Sequence, residues 1–115
     1  MKISFDAIGE KYVTFLAGSG AAKGQVCKVS ANDTVSGCAA GEAFCGVVAE
    51  VRDGCAAVVM GGYAEVPFRD ETAPSVGYAT LAADGDGGVK SVTSGGRGCL
   101  IVHVDAAAKT LGLFL

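Results

Sequence analysis

The sequence predicts an all-β protein, a small antiparallel β-barrel or sandwich built from two pseudo-repeated units. Short apolar runs alternate with turns rich in Gly, Asp and Asn, and no helical period of 3.6 residues persists along the chain. A self-comparison at an offset of 54 positions aligns two copies of a strand, turn and strand, 44–60 and 98–114. The offset pairs four identical residues: Cys45 with Cys99, Val48 with Val102, Val35 with Val89, and Gly41 with Gly95.

The first third of the chain predicts three strands. Residues 12–17 are dense in β-branched and aromatic side chains, which favour strands, and the Gly-rich stretch 18–24 is predicted as a loop. Strands 25–30 and 34–39 are joined by Ala-Asn-Asp, because Asn and Asp bond their own backbone and tolerate left-handed dihedrals.

The next segment predicts a half-buried strand, a fully covered strand and an edge strand. Alternation in 44–53 places four small apolar residues on one face and two charged residues on the other: Cys45, Val47, Ala49 and Val51 against Glu50 and Arg52. Residues 55–60 are apolar on both faces, which predicts a strand covered on both sides or paired with a partner subunit. Gly61 and Gly62 interrupt the ladder before strand 63–68, where Pro67 lacks an N–H and therefore indicates an edge or a strand end.

The second half repeats this pattern after a polar loop, 69–75. Its predicted strands are 78–83, 89–93, 99–104 and 110–114, separated by the turn 84–88, the loop 94–98 and the turn 105–109. We therefore predict an N-terminal arm or short strand over residues 1–11 and a single β domain over 12–115. The pseudo-repeats cover about 24–61 and 78–115.

Composition limits the possible partners. Half of the residues are hydrophobic and 18% are charged, which indicates that an oligomer interface or a larger assembly covers part of the surface, or that a small barrel simply has few charges. The net charge is −3 and the nine basic residues are scattered, which argues against nucleic acid. No run approaches the ~20 apolar residues of a membrane-spanning helix. Asp6 precedes any apolar region, so a secretory signal peptide is not expected.

The five cysteines favour structural thiols in a reducing cytosol over a metal or redox site. They are Cys27, Cys38, Cys45, Cys55 and Cys99. No two lie within a CxxC spacing, and most sit in or beside Val- and Ala-rich runs, as buried thiols do. We expect no histidine or cationic residue near Cys45, Cys55 or Cys99 that lowers a thiol pKa.

Two short motifs resemble chemical sites. His103 and Asp105 share a strand face, which is half of a hydrolytic triad, but no nucleophile motif accompanies them and the repeat aligns Ala49 with His103. We interpret His103 as a strand-surface residue. Asp84 and Asp86 resemble part of a calcium loop, yet the position for a bidentate Glu holds Gly95, and turn chemistry explains the Asp and Gly residues.

Two lysines receive similar interpretations. Loop 18–24 leads into a strand, and Lys23 is followed by Gly24 rather than Ser or Thr, so it is not a phosphate loop. Lys109 lies at a hairpin tip as a lipoyl or biotin attachment lysine does, but its flanking residues lack that pattern. No catalytic, cofactor-binding or metal site is predicted, and the protein is not expected to be an enzyme.

The order of segments resembles the small tailed-phage capsid cement, or head decoration, proteins. The resemblance covers about residues 22–115 and is carried by pattern rather than by a strict motif. Its segments are AlaLysGlyGlnValCysLysValSer (22–30), ThrValSerGlyCysAlaAlaGlyGlu (34–42), PheCysGlyValValAlaGluVal (44–51), AlaAlaValValMetGlyGlyTyrAlaGluValPro (56–67), ValGlyTyrAlaThrLeuAlaAlaAspGlyAspGlyGlyValLys (76–90) and the closing hairpin.

This resemblance implies a barrel-like domain that coats a phage or prophage head, contacts the major capsid protein, and has no catalytic residues. It also implies a homo-oligomer or larger assembly, production in the bacterial host cytoplasm and location in the virion. The alternative is a small-ligand or carbohydrate-binding barrel module. That alternative requires clustered aromatic side chains, and the three Tyr and five Phe are spread along the chain.

Overall fold

The computed structural model describes residues 11–115, and every regular element in that range is a β-strand. The strands are β1 (Lys11–Ala17), β2 (Val26–Ala31), β3 (Thr34–Gly37), β4 (Gly46–Arg52), β5 (Cys55–Gly61), β6 (Tyr63–Pro67), β7 (Gly77–Ala83), β8 (Val89–Ser91), β9 (Arg97–Asp105) and β10 (Thr110–Phe114). The predicted all-β fold class is confirmed. The predicted arm lies outside the described residues except for Lys11, which begins β1.

Strands β1 to β5 form a closed barrel in the order β1-β3-β2-β4-β5. The longest strand pairing in the barrel is antiparallel and joins β1 to β5. Its six residue pairs run from Lys11 opposite Gly61 to Leu16 opposite Cys55. Its parallel seam, between β1 and β3, is short. The seam between β2 and β4 has two pairs, Val26 with Val47 and Cys27 with Gly46. The barrel therefore has one strongly paired side and one sparsely paired side.

Strands β6 to β10 form a second sheet with the corresponding strand order, β6-β10-β9-β7-β8. A parallel bridge between Phe68 and Val89 joins its two ends. In both units the second strand pairs with the third and the fourth, and the fifth pairs with the fourth and the first. The repeated pattern in the sequence thus corresponds to a repeated topology. Strands β1 and β6 lie outside the aligned segments 24–61 and 78–115, and each adds one strand to its unit.

Two apolar cores follow from this arrangement. The interior of the first barrel holds Cys27, Val35, Val48, Ala56 and Val58. The second core lies within the second sheet and also receives the outer face of the first barrel through Val26, Phe44, Val47 and Val59. The first barrel is therefore covered on the inside by its own side chains and on one outer side by the second unit.

The predicted alternation along β4 is wrong. Val47 belongs to the second core, whereas its neighbour Val48 belongs to the first, so both are buried. A bulge between Val48 and Glu50 then shifts the register, and Val51 packs into the barrel interior while Ala49 packs against the second core. The four residues predicted to share one face are divided between two cores, and the bulge accounts for the change of side between Ala49 and Val51.

Two other local predictions are confirmed. Strand β5 is covered on both faces, with Val58 in the first core and Val59 in the second. Strand β6 lies at one end of the second sheet, and Pro67 is its last residue. A proline is tolerated there because no ladder partner needs its missing N–H.

The segment between β3 and β4 fastens the first barrel to the second unit. The Gly41 N–H donates to the Ala83 carbonyl (2.8 Å), and the Ala83 N–H donates to the Glu42 carbonyl (2.9 Å). Nearby, the Val26 N–H donates to the Gly87 carbonyl (3.0 Å). Gly41 has a φ of 87°, and its counterpart Gly95 has a φ of 79°, so both need the left-handed region that glycine enters without cost.

Candidate functional site

His103 and Asp105 lie on the outward face of β9, near the end of the strand. His103 is exposed opposite Gly112 of β10. The Asp105 Oδ1 accepts hydrogen bonds from the N–H groups of Ala107 (3.1 Å) and Ala108 (3.0 Å), so this carboxylate organises the β9–β10 turn. Cys99 points to the opposite face of the strand and is 3% exposed. The interpretation of His103 as a strand-surface residue agrees with this geometry.

The turn at Asp84 is held by its own carboxylate. The Asp84 Oδ1 accepts from the N–H groups of Asp86 (2.7 Å) and Gly88 (3.0 Å). The Asp86 carboxylate faces Arg69 instead, at 3.8 Å. No group of three or more His, Cys, Asp or Glu residues is placed to hold a metal ion within residues 11–115. The turn interpretation therefore explains this motif.

The two lysines weighed as functional groups are engaged at the surface. The Lys109 Nζ donates to the Asp70 carbonyl (3.0 Å) and lies 5.9 Å from the Phe68 ring centroid. Lys23 lies 3.9 Å from Glu50. The loop 18–24 leads into β2, as the sequence predicted, so it precedes no helix. Lys109 therefore rests on the 69–75 loop, and the loop 18–24 lacks the helix N-terminus that binds phosphate.

An apolar row crosses the outer face of the second sheet. The register places Tyr78 opposite Leu100, Leu100 opposite Phe114, and Phe114 opposite Tyr63. The adjacent residues along β7 and β9, Ala79 and Cys99, point to the interior. We call Tyr63, Phe114, Leu100 and Tyr78 the outer row. The sequence does not reveal it, because its members come from four strands and meet only through strand pairing.

The exposure of the outer row increases from β6 towards β7. The rings of Tyr63 and Phe114 meet edge to face with centroids 5.7 Å apart, whereas Tyr78 is 89% exposed. The Tyr63 ring lies across Gly112, where a Cβ would overlap it. A shallow hollow of about 280 Å³ separates Tyr78 from Phe114 over Leu100. Val76, just before β7, adds a further apolar side chain that is 64% exposed.

A second hollow, of about 570 Å³, lies between the two units and differs in character. Its wall is formed mainly by Gly and small or polar residues: Ser19, Gly20, Gln25, Val26, Gly37, Cys38, Ala39, Gly85, Asp86 and Gly87. No aromatic ring lines it. The ring-lined cleft that a carbohydrate-binding module needs is therefore not formed at this place.

Cys27 and Cys45 form a close thiol pair at the sparsely paired side of the first barrel. Their Sγ atoms are 4.0 Å apart, and the Cys45 N–H donates to the Cys27 carbonyl (2.8 Å). Cys27 is 0% exposed, whereas Cys45 is half-buried. Arg97, from β9 of the second unit, donates from Nη1 to the Cys45 carbonyl (2.7 Å) and lies 5.8 Å from the Phe44 ring centroid.

This environment separates the pKa values of the two thiols. The hydrogen bond from Cys27 is the main cause that lowers the pKa of Cys45 to about 7, and the Arg97 guanidinium adds to the effect. The same hydrogen bond, together with burial, raises the pKa of Cys27. Burial raises the pKa of the nearby Cys38 to about 11. The expectation that no cationic group stands near Cys45 is wrong, because Arg97 is distant in sequence and adjacent in space.

Comparison with protein-family models and with curated proteins gives no match for this chain. The resemblance to capsid decoration proteins is thus supported by its sequence pattern alone. No helix within residues 11–115 is both long and apolar enough to cross a lipid bilayer.

Proposed function

We propose that the protein is a non-enzymatic structural component of a phage or prophage head that binds the outer surface of the assembled shell. The observation that carries this proposal is the outer row, whose most exposed member, Tyr78, is 89% accessible beside the exposed Val76. Large apolar side chains grouped on one sheet face are typical of protein-binding surfaces. The segment order of the decoration proteins supports the same function.

The chemistry of the outer row suits attachment to another protein. Tyrosine supplies a large contact area at a small cost in conformational entropy. Its hydroxyl group can keep hydrogen bonds to water at the edge of an interface. Leu100 and Phe114 lie beside it as a partly covered apolar floor. A partner side chain that enters the hollow between Tyr78 and Phe114 would cover these groups together. The partner we propose is the major capsid protein.

Binding only to the assembled shell stabilises that shell by mass action, since the dissociated subunits gain nothing from the same ligand. Many copies on one shell add their effects, and self-association of the decoration protein would raise the effective concentration of each binding surface. We therefore include homo-oligomerisation, synthesis in the host cytoplasm and final location in the virion in the proposed function. None of these steps requires a catalytic group.

Sedimentation with heads tests this function directly. Heads of the source phage or prophage, purified without this protein, are mixed with the full-length chain and pelleted, and bound copies are quantified. We expect saturable binding to assembled heads and none to dissociated capsid subunits. Tyr78→Ala should weaken binding by about 30-fold, because removing a central aromatic contact typically costs about 2 kcal/mol.

Val29→Ala is the matched control, since Val29 is 54% exposed on the first barrel, away from the outer row. It should bind as the parent does. Failure of the parent protein to sediment with heads would refute the proposed function. Equal affinities for Tyr78→Ala and the parent would refute the assignment of the outer row. A change in the sedimentation mass of the free protein on Tyr78→Ala would assign the row to self-association.

The N-terminal arm offers a separate test. Lys11 belongs to β1 and pairs with Gly61, so a truncation should stop at residue 10 to leave the barrel intact. If the arm adds a strand to a neighbouring subunit, removal of residues 1–10 should weaken head binding without lowering the melting temperature. Unchanged sedimentation with heads would count against a role for the arm.

A further inference from the structure

The thiol pair lies where β2 meets β4, and backbone hydrogen bonds from Cys45 N–H to the Cys27 carbonyl (2.8 Å) and from Val48 N–H to the Gln25 carbonyl (2.9 Å) hold the two strands together there. Only two residue pairs join β2 to β4, and one of them places Cys27 opposite Gly46, the residue after Cys45. The Sγ atoms are 4.0 Å apart. A disulfide requires about 2.0 Å between the sulfurs, so a movement of roughly 1 Å by each would form the bond. The hydrogen bond between the two backbones already keeps the residues next to each other.

The surroundings give the two sulfurs different roles. Cys45 is half-buried, whereas Cys27 is enclosed in the barrel, so an external reagent meets Cys45 first. The hydrogen bond from Cys27 and the neighbouring Arg97 stabilise the Cys45 thiolate, which is the nucleophilic form. Cys27 then lies within reach to attack any sulfur adduct on Cys45.

We propose that Cys27 and Cys45 are a modification site at which a low-molecular-weight disulfide oxidises the pair to an intramolecular disulfide across the β2–β4 seam. The site rests on the juxtaposition of the two sulfurs and is independent of the proposed function.

The reaction balances with glutathione disulfide as the oxidant. The Cys45 thiolate attacks one sulfur of glutathione disulfide, which forms a mixed disulfide and breaks the original S–S bond, and one glutathione thiolate leaves. That thiolate takes the proton of Cys27. The Cys27 thiolate then attacks the Cys45 sulfur and expels the second glutathione as a thiolate, which takes up the proton that Cys45 released to solvent on ionisation. Two protein thiols lose two electrons and two protons, and one glutathione disulfide becomes two glutathione thiols.

Intact-mass and peptide mapping test the site on the native full-length protein. Incubation with glutathione disulfide should reduce the mass by two hydrogens, and a non-reduced digest should join the peptides that contain Cys27 and Cys45. The melting temperature should rise by about 10 °C, because the link constrains the unfolded chain over a loop of medium length. A thiol reductant should reverse both changes.

Two variants assign the roles of the sulfurs. Cys27→Ala should stop at the mixed disulfide on Cys45, since the second attack is lost. Cys55→Ala is the matched control, because Cys55 begins β5, and it should form the disulfide as the parent does. Any of three results would overturn the proposal. The mixed disulfide could persist in the parent, the disulfide could contain Cys38 or Cys99, or the native protein could fail to react. If Cys27→Ala does not fold, the peptide map of the parent decides alone.

Discussion

Gly46 begins β4 and lies in close contact with β5, and the substitution Gly46→Ala tests this contact. A Cβ on Gly46 would overlap the carbonyl oxygen of Val59 and lie 2.8 Å from the Val58 Cγ1. Both residues belong to β5, whose side chains pack into a core on each face. Neither neighbour has room to retreat, so the added methyl group should push β4 away from β5.

The expected change in the free energy of unfolding on Gly46→Ala follows from two opposing effects. Overpacking of a closely packed site costs about 1–3 kcal/mol. Replacement of Gly by Ala also reduces the conformational entropy of the unfolded chain, which stabilises the native state by about 0.4–1 kcal/mol where the backbone conformation is compatible. The steric cost is the larger, so Gly46→Ala should lower the free energy of unfolding by about 1–2 kcal/mol. The melting temperature should fall by about 4–10 °C.

Gly98→Ala is the matched control, because Gly98 lies in a strand of the other unit and a Cβ there meets no atom within 4 Å. Because the added methyl group has no steric cost, the free energy of unfolding of this variant should equal that of the parent or exceed it by up to about 1 kcal/mol. Urea denaturation followed by circular dichroism measures both variants against the parent, with equal m-values as the condition for comparison. A Gly46→Ala variant as stable as the parent, or an equal loss in Gly98→Ala, would refute the steric reasoning.

Three other measurements address electrostatics, packing and reactivity. The Lys28 ammonium group and the Ala39 N–H lower the pKa of Glu42, so its stabilising contribution is present above the unfolded pKa of about 4.5 and is lost as pH falls through the lower folded pKa. The melting-temperature difference between the parent and Glu42→Gln should therefore disappear in acid, and a constant difference would contradict this cause. Leu113→Ala should lower the free energy of unfolding, measured by urea denaturation, by about 2–5 kcal/mol, because Leu113 is 0% exposed. A loss below about 1 kcal/mol would contradict the assigned core packing. Alkylation of Cys45 by iodoacetamide, followed by peptide mass, should rise with a midpoint near pH 7, and a midpoint above pH 8 would contradict the stabilised thiolate.

The secondary structure could be predicted from local pattern because strands and turns depend on neighbouring residues. The apolar run 55–60 and the position of Pro67 predicted a covered strand and an edge strand, and both are observed. The alternation along 44–53 failed because a bulge in β4 redirects the side chains, and bulges depend on the partner strand. The twofold repeat was visible in the order of segments, whereas its identical residues were few.

The candidate sites were harder to predict because their members are far apart in the chain. His103 and Asp105 lie two positions apart in the sequence, and the exposure of His103 agrees with its interpretation as a strand-surface residue. Arg97 and Cys45 are 52 positions apart in the sequence, and the fold brings the guanidinium of Arg97 to the Cys45 carbonyl. The outer row likewise joins residues whose separation, from Tyr63 to Phe114, spans the second unit.

The amino-acid sequence by itself determined the all-β class, the turns and the duplication, because dihedral preference and apolar periodicity act over a few residues. Only the tertiary structure decided that five strands close into a barrel, that Cys27 meets Cys45, and that Tyr78 completes an exposed apolar row. Strand pairing and register set these contacts, and a shift of one residue would turn each side chain to the opposite face. The energy of such pairing is shared among distant strands, so no local segment specifies it.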